Sequence, residues 1–410
     1  MRVLIVSTIM PYPAIYGSAI RTMSLLRALA SEGVEISFLT LTSQTEPAGD
    51  LQPLREVCRH VQTVGVPLRS LSSSADYGRR ARALLDYRPY AALRYRSQEM
   101  QSLIQRQLAG RRFDAVIADM LFSMVNMPVV PVPLIANLHN VEYLILKRYL
   151  RFERNPVKRG YAWMESEKLR RWEQHACRRA NLVTVCSNYD RDVLLAHTDV
   201  PVMTVPNVVD TVHYAPCSGG GEGFTVMYQG GMDWFPNRDA VEYFASSILP
   251  IVRQRVPGAR LVVAGRNPSP EFIRKFKGDS GIEFTGTVSD MRPVIERAQV
   301  CVVPLRIGSG TRLKILESAA MGKAVVATRL GAEGLDFRDG EEILLEDEPI
   351  AFANAVSDLL LDPGRRRSVG AAARRCVEER YSFPALRSAV RSMLESLRPV
   401  AEAVTVSVRA

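Results

Sequence analysis

The chain has 410 residues, of which 47% are hydrophobic and 23% are charged, and its formal net charge is +10 at pH 7. This composition excludes a disordered chain, and because single hydrophobic cores stop growing near about 250 to 300 residues, the length predicts two domains. No window approaches about 18 consecutive apolar residues and the first residues resemble a buried strand, so we expect no membrane span, no secretory leader and a cytoplasmic protein.

The first half of the chain alternates apolar strands with amphipathic helices. Residues 3–8 form a β-branched and apolar run, a turn rich in proline follows, and apolar residues at helical spacing then continue until Gly33. Residues 34–38 alternate with period two, which completes a β-α-β unit. Further strands are predicted over residues 115–118, 134–137 and 182–185.

The alternation pauses and then restarts in the second half. Turn-forming residues concentrate between 205 and 223, where we place a domain boundary. Further strands are predicted over residues 224–228, 261–264, 300–303 and 324–328. The pattern predicts two Rossmann-like, doubly wound α/β domains facing across a cleft, with ligands at the carboxyl ends of the strands.

The predicted organisation has three parts. Residues 1–206 form an N-terminal domain, and residues 207–383 form a C-terminal domain. Residues 384–410 form a C-terminal helix and tail, and we expect this helix to pack back toward the N-terminal domain.

Positive charge is concentrated in the first half of the chain. Residues 1–200 contain 27 basic against 18 acidic side chains, whereas residues 201–410 contain 26 against 25. The excess gathers in residues 79–112, with nine arginines against two acids, and in residues 147–179, with eleven basic side chains against four acids. These stretches form either solvated helix surfaces or a surface that attracts anionic lipid or a phosphorylated acceptor. Neither contains a nucleic-acid-binding motif, so no nucleic-acid partner is expected.

The spacing of the cysteines and of the acidic residues predicts neither disulfides nor a metal site. The six cysteines are scattered without a C-x-x-C pair or histidines at metal spacing, which favours free thiols in a reducing compartment. No Asp-x-Asp precedes a strand end in a way that would hold Mg²⁺ or Mn²⁺ against a diphosphate. We therefore expect no metal and no other cofactor.

The strongest local signal is the segment over residues 304–317, in which a buried strand ends, a loop with two glycines follows and a helix begins. Glycines such as Gly310 allow the backbone to approach a ligand, and free N–H groups at a helix start suit a diphosphate. Arg312 and Lys314 add countercharge, and Glu317 can reach a sugar hydroxyl beside the phosphates. The alternative is a structural turn with solvated charges.

This segment is similar to the nucleotide-sugar loop of retaining glycosyltransferases of family four, which have the GT-B fold and use no metal. In that family's pattern, Glu-Gly-Phe-Gly precedes Glu-Ala, with two glutamates separated by seven residues. Glu317 matches the second glutamate and Gly310 the first glycine. Ser309 stands in place of the first glutamate and Arg312 in place of the second glycine. The form Gly-Thr-Arg-Leu-Lys-Ile-Leu-Glu resembles a recognisable branch of the family.

Other family motifs occur in the same order along nearly the whole chain. They are the glycine loop after the first strand (residues 13–21), the interdomain segment (205–210), the loop that cups the base (284–290) and the opening of the last helix (381–383). The resemblance implies that these motifs and the segment over residues 304–317 bind the donor. The implied donor-binding residues are Gly17, Gly286, Val288, Ser309, Gly310, Thr311, Arg312, Leu313 and Glu317.

His139 follows a predicted strand end and should point into the cleft. The resemblance implies that it acts near the reacting carbon through hydrogen bonds to the donor sugar; the alternative is a structural histidine. The family's usual lysine after the first strand of the second domain is missing, and we expect Arg266 and Lys314, with Arg312, to stabilise the leaving group instead. Alternatively, Arg266 pairs with an acid such as Asp290.

The resemblance implies a metal-independent hexosyltransferase in which residues 1–206 bind the acceptor and residues 207–383 bind the nucleotide sugar. It would move a sugar from a nucleotide diphosphate sugar to a glycan or lipid-linked acceptor, with retention, in cell-surface polysaccharide or glycolipid synthesis, in the cytoplasm or at the inner face of the membrane. An oxidoreductase is disfavoured because Gly-x-Gly-x-x-Gly is absent between strand and helix. A sugar-nucleotide epimerase of the same fold and an inactive binding subunit remain alternatives; Ser309 favours the second, whereas His139 and Glu317 oppose it. The base, the sugar and the acceptor stay open.

Overall fold

The computed structural model describes residues 1–43, 50–67, 74–216, 223–308 and 310–409. The chain forms two compact units, and each contains one parallel sheet. The first unit comprises Met1–Asn207 and Leu386–Ala410, and the second comprises Val208–Ala385. The turn-rich residues 217–222, with Cys217, lie outside the described residues. The other five cysteines are buried free thiols.

The first unit contains a seven-stranded sheet. Its strands are β1 (Arg2–Ser7), β2 (Glu35–Ser43), β3 (His60–Val66), β4 (Ala115–Asp119), β5 (Leu134–Asn137), β6 (Leu182–Val185) and β7 (Val202–Thr204). They lie in the order β3-β2-β1-β4-β5-β6-β7, and neighbouring strands are parallel. The order reverses between β1 and β4, and ligands of doubly wound folds bind at such a switch point.

Helices cover this sheet. They are α1 (Gly17–Ser31), α2 (Gln52–Arg55), α3 (Ser74–Ala83), α4 (Tyr90–Leu93), α5 (Gln98–Gly110), a 3₁₀ helix (Leu121–Val125), α6 (Glu142–Tyr149), α7 (Pro156–Arg178) and α8 (Asn188–Leu195). Helix α7 begins at Pro156 because the Asn155 side chain accepts hydrogen bonds from the first free N–H groups. Helix α1 ends before Gly33, whose φ of +74° suits glycine.

The second unit repeats the architecture with six strands. They are β8 (Phe224–Gln229), β9 (Ala259–Ala264), β10 (Ile282–Gly286), β11 (Val300–Val303), β12 (Ala324–Ala327) and β13 (Leu344–Leu345). The order is β10-β9-β8-β11-β12-β13, again parallel, with the switch point between β8 and β11. The doubly wound α/β fold class predicted for both halves is confirmed.

The helices of the second unit complete its core. They are α9 (Phe235–Tyr243), a π-helical turn (Phe244–Ile248), α10 (Leu249–Arg255), α11 (Pro270–Arg274), α12 (Arg292–Arg297), α13 (Leu313–Ala320), α14 (Pro349–Leu361) and α15 (Pro363–Arg380). The last helix, α16 (Phe383–Arg409), continues from this unit into the first. Its apolar residues recur at helical spacing and are buried; they are Leu386, Val390, Met393 and Leu397. Arg387 and Arg391 pair with Glu32, at 2.9 and 3.0 Å.

All nine strands predicted from the sequence are present. Four further strands, β3, β7, β10 and β13, were not predicted, and each lies at the edge of its sheet. The segment that resembles the base-cupping loop begins within β10 instead of being loop throughout.

Gly370 lies where α15 packs against the backbone before β12. A Cβ atom on Gly370 would overlap the carbonyl oxygen of Gly322 and lie 2.9 Å from its carbonyl carbon. Because backbone atoms cannot rotate away, we expect Gly370→Ala to lower the free energy of unfolding by about 1–3 kcal/mol, measured by urea denaturation. The control is Gly160→Ala in α7, where a Cβ atom would have no described atom within 4 Å apart from its chain neighbours and its own helix backbone, and stability should rise by up to about 1 kcal/mol. A Gly370→Ala protein as stable as wild type would contradict this account.

Candidate functional site

The carboxyl ends of the central strands in the first unit carry a row of buried polar residues. Ser7, Asp119, Asn137 and Thr184 lie side by side on β1, β4, β5 and β6. All are at most 1% exposed. Polar groups buried this deeply need partners, and here the strand register lets them bond to one another.

Asp119 is the centre of this row. One of its oxygens accepts hydrogen bonds from Ser7 Oγ at 2.9 Å and Thr22 Oγ1 at 2.7 Å, and the other accepts from Asn137 Nδ2 at 2.7 Å and His139 Nε2 at 2.9 Å. Burial alone would raise the pKa of Asp119, but the His139 ring and the donated hydrogen bonds outweigh it and lower that pKa to about 2. The carboxylate is therefore ionised.

The structure places His139 two residues beyond the end of β5 and buries it to 6% exposure. Gly17, the other predicted site residue in this unit, is the first residue of α1 and is exposed. Asp119 and Asn137 were missed as site residues, although each is a polar residue that ends an otherwise apolar strand, and that was the available signal.

The carboxyl edge of the second sheet is shaped by glycines. Gly265, with φ +152°, follows β9, and a Cβ atom there would overlap the carbonyl oxygen of Gly230, which follows β8. Gly286 ends β10 at φ +67°, and its carbonyl oxygen accepts a hydrogen bond from the Gly265 N–H at 3.2 Å. Val288 follows in the loop and is half-buried. At these glycines, the edge of the sheet therefore presents backbone atoms that no Cβ atom covers.

Glu317 lies on α13 and reaches the end of β8. Gln229 Nε2 donates a short hydrogen bond to Glu317 Oε2, and the Tyr214 hydroxyl also bonds the carboxyl. Burial raises the pKa of Glu317, and Gln229, Lys314 and Tyr214 counteract the rise. Gln229 and Tyr214 were missed from the sequence; Tyr214 comes from a distant loop and gave no signal.

Lys314 is enclosed one turn before Glu317. Its Nζ lies 3.0 Å from both Tyr228 Oη and Asn237 Oδ1, and 4.4 Å from the centre of the Tyr228 ring. Neither partner is charged, so burial, with a smaller contribution from Arg312, lowers the pKa of Lys314 to about 7.

Arg312 precedes α13 and folds back over the glycine loop. Its Nη1 donates to the Gly310 carbonyl oxygen at 2.7 Å, and a Cβ atom on Gly308 would lie 2.6 Å from Nη2. Gly308, with φ +138°, is therefore favoured by its backbone conformation, and a side chain there would also displace the Arg312 guanidinium. Thr311 and Leu313 flank Arg312 and are half-buried, whereas Ser309 lies outside the described residues.

Arg266 does not pair with Asp290. It lies 3.4 Å from Asp233, while Asp290 is held by Arg292 at 2.6 Å. The alternative that Arg266 pairs with an acid therefore holds for Asp233 and not for Asp290, because the Asp290 carboxylate accepts hydrogen bonds from the backbone and side chain of Arg292, two residues further on.

In the described ranges, no group of three or more His, Cys, Asp or Glu side chains is arranged to hold a metal ion. Within the same ranges, no helix has the length and apolar character needed to cross a membrane.

Comparison with known families matches both units. Residues 15–213 match the model described as Glycosyltransferase Family 4, and residues 223–362 match Glycosyl transferases group 1. The chain belongs to the group 1 glycosyltransferases. The predicted family resemblance is thereby confirmed.

Relatives of this glycosyltransferase are diverse. An uncharacterized 44.6 kDa protein in the cps region of Klebsiella pneumoniae is 20% identical, over 95% of this chain and 98% of that protein. A GDP-mannose-dependent phosphatidylinositol monomannoside mannosyltransferase of Mycobacterium tuberculosis is 32% identical, over 36% of this chain and 42% of that enzyme.

Solved structures support the fold of the glycosyltransferase along the whole chain. Sucrose-phosphate synthase from Thermosynechococcus elongatus superposes with a TM-score of 0.71 at 16% identity, covering 98% of this chain and all of that one. Anabaena HepE, solved in complex with UDP-glucose, superposes with a TM-score of 0.66 at 13% identity, covering 97% and 100%. The predicted GT-B fold is confirmed.

The enclosed Lys314 predicts a pH-dependent stability. Its pKa of about 7 in the folded protein lies below the ordinary value of 10.5, so the unfolded chain binds more protons between these pH values and stability rises with pH. Relative to Lys314→Met, we expect wild type to gain about 2 kcal/mol of unfolding free energy from pH 7 to pH 9 in urea titrations. The exposed Lys277→Met is the control and should change with pH as wild type does. A constant difference between wild type and Lys314→Met would contradict an enclosed lysine.

Proposed function

We propose that this glycosyltransferase moves a hexose-type sugar from a nucleotide diphosphate sugar to a glycan or lipid-linked acceptor, with retention and without a metal ion. The observation that carries the proposal is the carboxyl edge of the second sheet, where Glu317, held by Gln229 and Tyr214, lies beside the glycine loop and the start of α13. This combination suits a nucleotide sugar: a carboxylate for hydroxyls and free N–H groups for a diphosphate.

The donor would be held by complementary charge and hydrogen bonds. Glu317 accepts from sugar hydroxyls, and the backbone near Gly308 and Gly310 approaches the diphosphate. Arg266, Arg312 and Lys314 stabilise the negative charge that develops on the leaving group. An adjacent diphosphate would also provide Lys314 with the counter-charge that its Tyr228 and Asn237 partners do not. His139 of the first unit would act near the reacting carbon.

Relatives support a nucleotide-sugar donor and a cell-surface product. HepE was solved with UDP-glucose, the mycobacterial relatives are named as GDP-mannose-dependent enzymes acting on phosphatidylinositol mannosides, and the Klebsiella relative is in a cps region. For this chain we propose synthesis of a cell-surface polysaccharide or glycolipid in the cytoplasm.

Removal of the Glu317 charge should weaken donor binding. For Glu317→Gln we expect a loss of about 2–3 kcal/mol, which is about 30- to 150-fold in Kd, because a hydrogen-bonding charged group is lost. Calorimetry would use the nucleotide sugar that gives the largest thermal shift in a screen of UDP, GDP, ADP and TDP sugars. The control is Glu271→Gln, an exposed carboxylate of the same unit, which should bind as wild type does. Equal affinity for both variants would remove Glu317 from the site.

The same donor is then assayed with and without acceptor, in EDTA. Transfer with retention in EDTA supports the proposal. Sugar interconversion without acceptor would indicate an epimerase, and donor binding without any turnover would indicate a binding subunit.

We propose that the acceptor binds near the basic surface of the first unit. Some of the cations in this surface donate hydrogen bonds within the protein. Lys168 Nζ donates to the carbonyl oxygens of Ala83 and Asp86, both at 2.8 Å, and so closes the end of α3. Arg179 donates to three backbone carbonyl oxygens. These cations stabilise the fold, which reduces the number that can meet a partner.

Other cations surround exposed apolar side chains. In the loop after α3, Leu85 is 94% exposed and Tyr87 is 72% exposed, and Arg79 and Arg82 are exposed on the last turns of α3. Apolar and aromatic side chains flanked by arginines favour the interface of an anionic bilayer. We therefore propose that this surface docks reversibly on the inner face of the membrane, where a phosphate-bearing lipid acceptor is presented.

Vesicle co-sedimentation tests the docking. Each basic side chain near an anionic surface contributes about 1 kcal/mol, so Arg79→Gln with Arg82→Gln should lower partitioning about 30-fold, and salt should weaken wild-type binding. Leu85→Ser with Tyr87→Ser should lower it as well, whereas Leu361→Ser, at an exposed leucine of the second unit, should not. Equal wild-type binding to neutral and anionic vesicles would refute the docking and leave the transferase proposal intact.

A further inference from the structure

We propose that Asp119, Asn137 and Arg21 form a positioning network that keeps a hydrogen on His139 Nε2, so that the neutral form of the ring presents Nδ1 as an acceptor for a sugar hydroxyl. The hydrogen position is argued from the first unit alone. Its consequence for turnover rests on the proposed transferase function.

The argument begins at Asp119, because an ionised carboxylate can only accept. All four of its contacts are donors: two hydroxyl groups, one amide and the His139 ring. The ring nitrogen that lies 2.9 Å from Asp119 is Nε2, so Nε2 must carry a hydrogen. A neutral imidazole has one hydrogen, which makes Nδ1 the acceptor.

Asn137 could reverse this arrangement if its amide were flipped, and Arg21 prevents the flip. Asn137 Oδ1 accepts from Thr184 Oγ1 at 2.8 Å and from Arg21 Nη2 at 3.0 Å. A guanidinium cannot accept a hydrogen bond, so the amide oxygen must face Arg21 and the NH₂ group must face Asp119.

Arg21 is itself fixed. It is 6% exposed, and its Nη1 donates to the Val205 carbonyl oxygen and to Asn207 Oδ1, both at 2.9 Å. The cation therefore ties α1 to the last residues of the first unit before the chain enters the second. Arg21 therefore sets which atom of Asn137 donates, and this order of donors and acceptors continues through Asp119 to His139.

The far nitrogen of the ring completes the inference. His139 Nδ1 is buried and has no hydrogen-bond partner among the described residues. In the neutral form of the ring, the lone pair on Nδ1 is therefore without a donor from the described protein. Nδ1 is therefore suited to a ligand that donates, and a sugar hydroxyl is such a donor.

Nitrogen NMR of protein with ¹⁵N-labelled histidine tests the hydrogen position directly. The five histidines are assigned by comparison with His139→Gln. In wild type we expect the Nε2 signal of His139 to be that of a protonated nitrogen and the Nδ1 signal to be that of an unprotonated one. A protonated Nδ1 with a bare Nε2 would overturn the proposal.

Variants separate positioning from a merely structural role. In Asp119→Leu no acceptor faces the ring, and the Asn137 amide, whose Nδ2 lies 3.5 Å from His139 Nε2, can donate to that nitrogen. We therefore expect the hydrogen to move to Nδ1 and kcat to fall by at least about 10-fold, with nucleotide affinity unchanged. Arg21→Met should show the same changes in weaker form. The control Ser7→Ala removes one donor to Asp119 and should keep the hydrogen on Nε2. An Asp119→Leu enzyme with the wild-type ring signals and kcat would refute positioning, whereas Nε2 protonation without transfer from any donor would refute only the proposed function.

Discussion

Each sheet of this protein is parallel and covered by helices, and that constraint decides where polar side chains can lie. Between two covered faces a polar group has no water to bond, so β4 and β5 are apolar until their last residue. At the carboxyl end the helices part, and Asp119, Asn137 and, in the second unit, Gln229 are accommodated there. Because parallel strands end at the same edge, these residues meet although they are far apart in sequence.

The carboxyl edges of the two sheets stabilise their buried charges to different degrees. In the first unit, Asp119 is buried with every oxygen satisfied, so its charge is stabilised within the protein. In the second unit, Lys314 is enclosed by neutral partners, so its charge is only partly stabilised. In the proposed donor site, a diphosphate beside Lys314 would relieve this cost, which is a form of preorganisation.

The core of the fold could be predicted from the sequence, and the limits have a physical origin. Central strands such as β5 and β11 are buried on both faces and read as continuous apolar runs, whereas β3 and β10 are half-exposed at sheet edges and lack that signal. His139 and Glu317 could be proposed from motif resemblance. Their partners could not, because Tyr214 and Arg21 reach them from loops and helices whose approach depends on tertiary packing.

The path of the last helix has a consequence for biosynthesis. The second unit is one uninterrupted stretch of chain, whereas the first needs residues from both ends. On the ribosome, the surface that receives Leu386, Val390 and Met393 stays uncovered until those residues are made, and they follow the whole of the second unit. The order of synthesis is therefore not the order of completion: the second unit can close while the first still awaits its final segment.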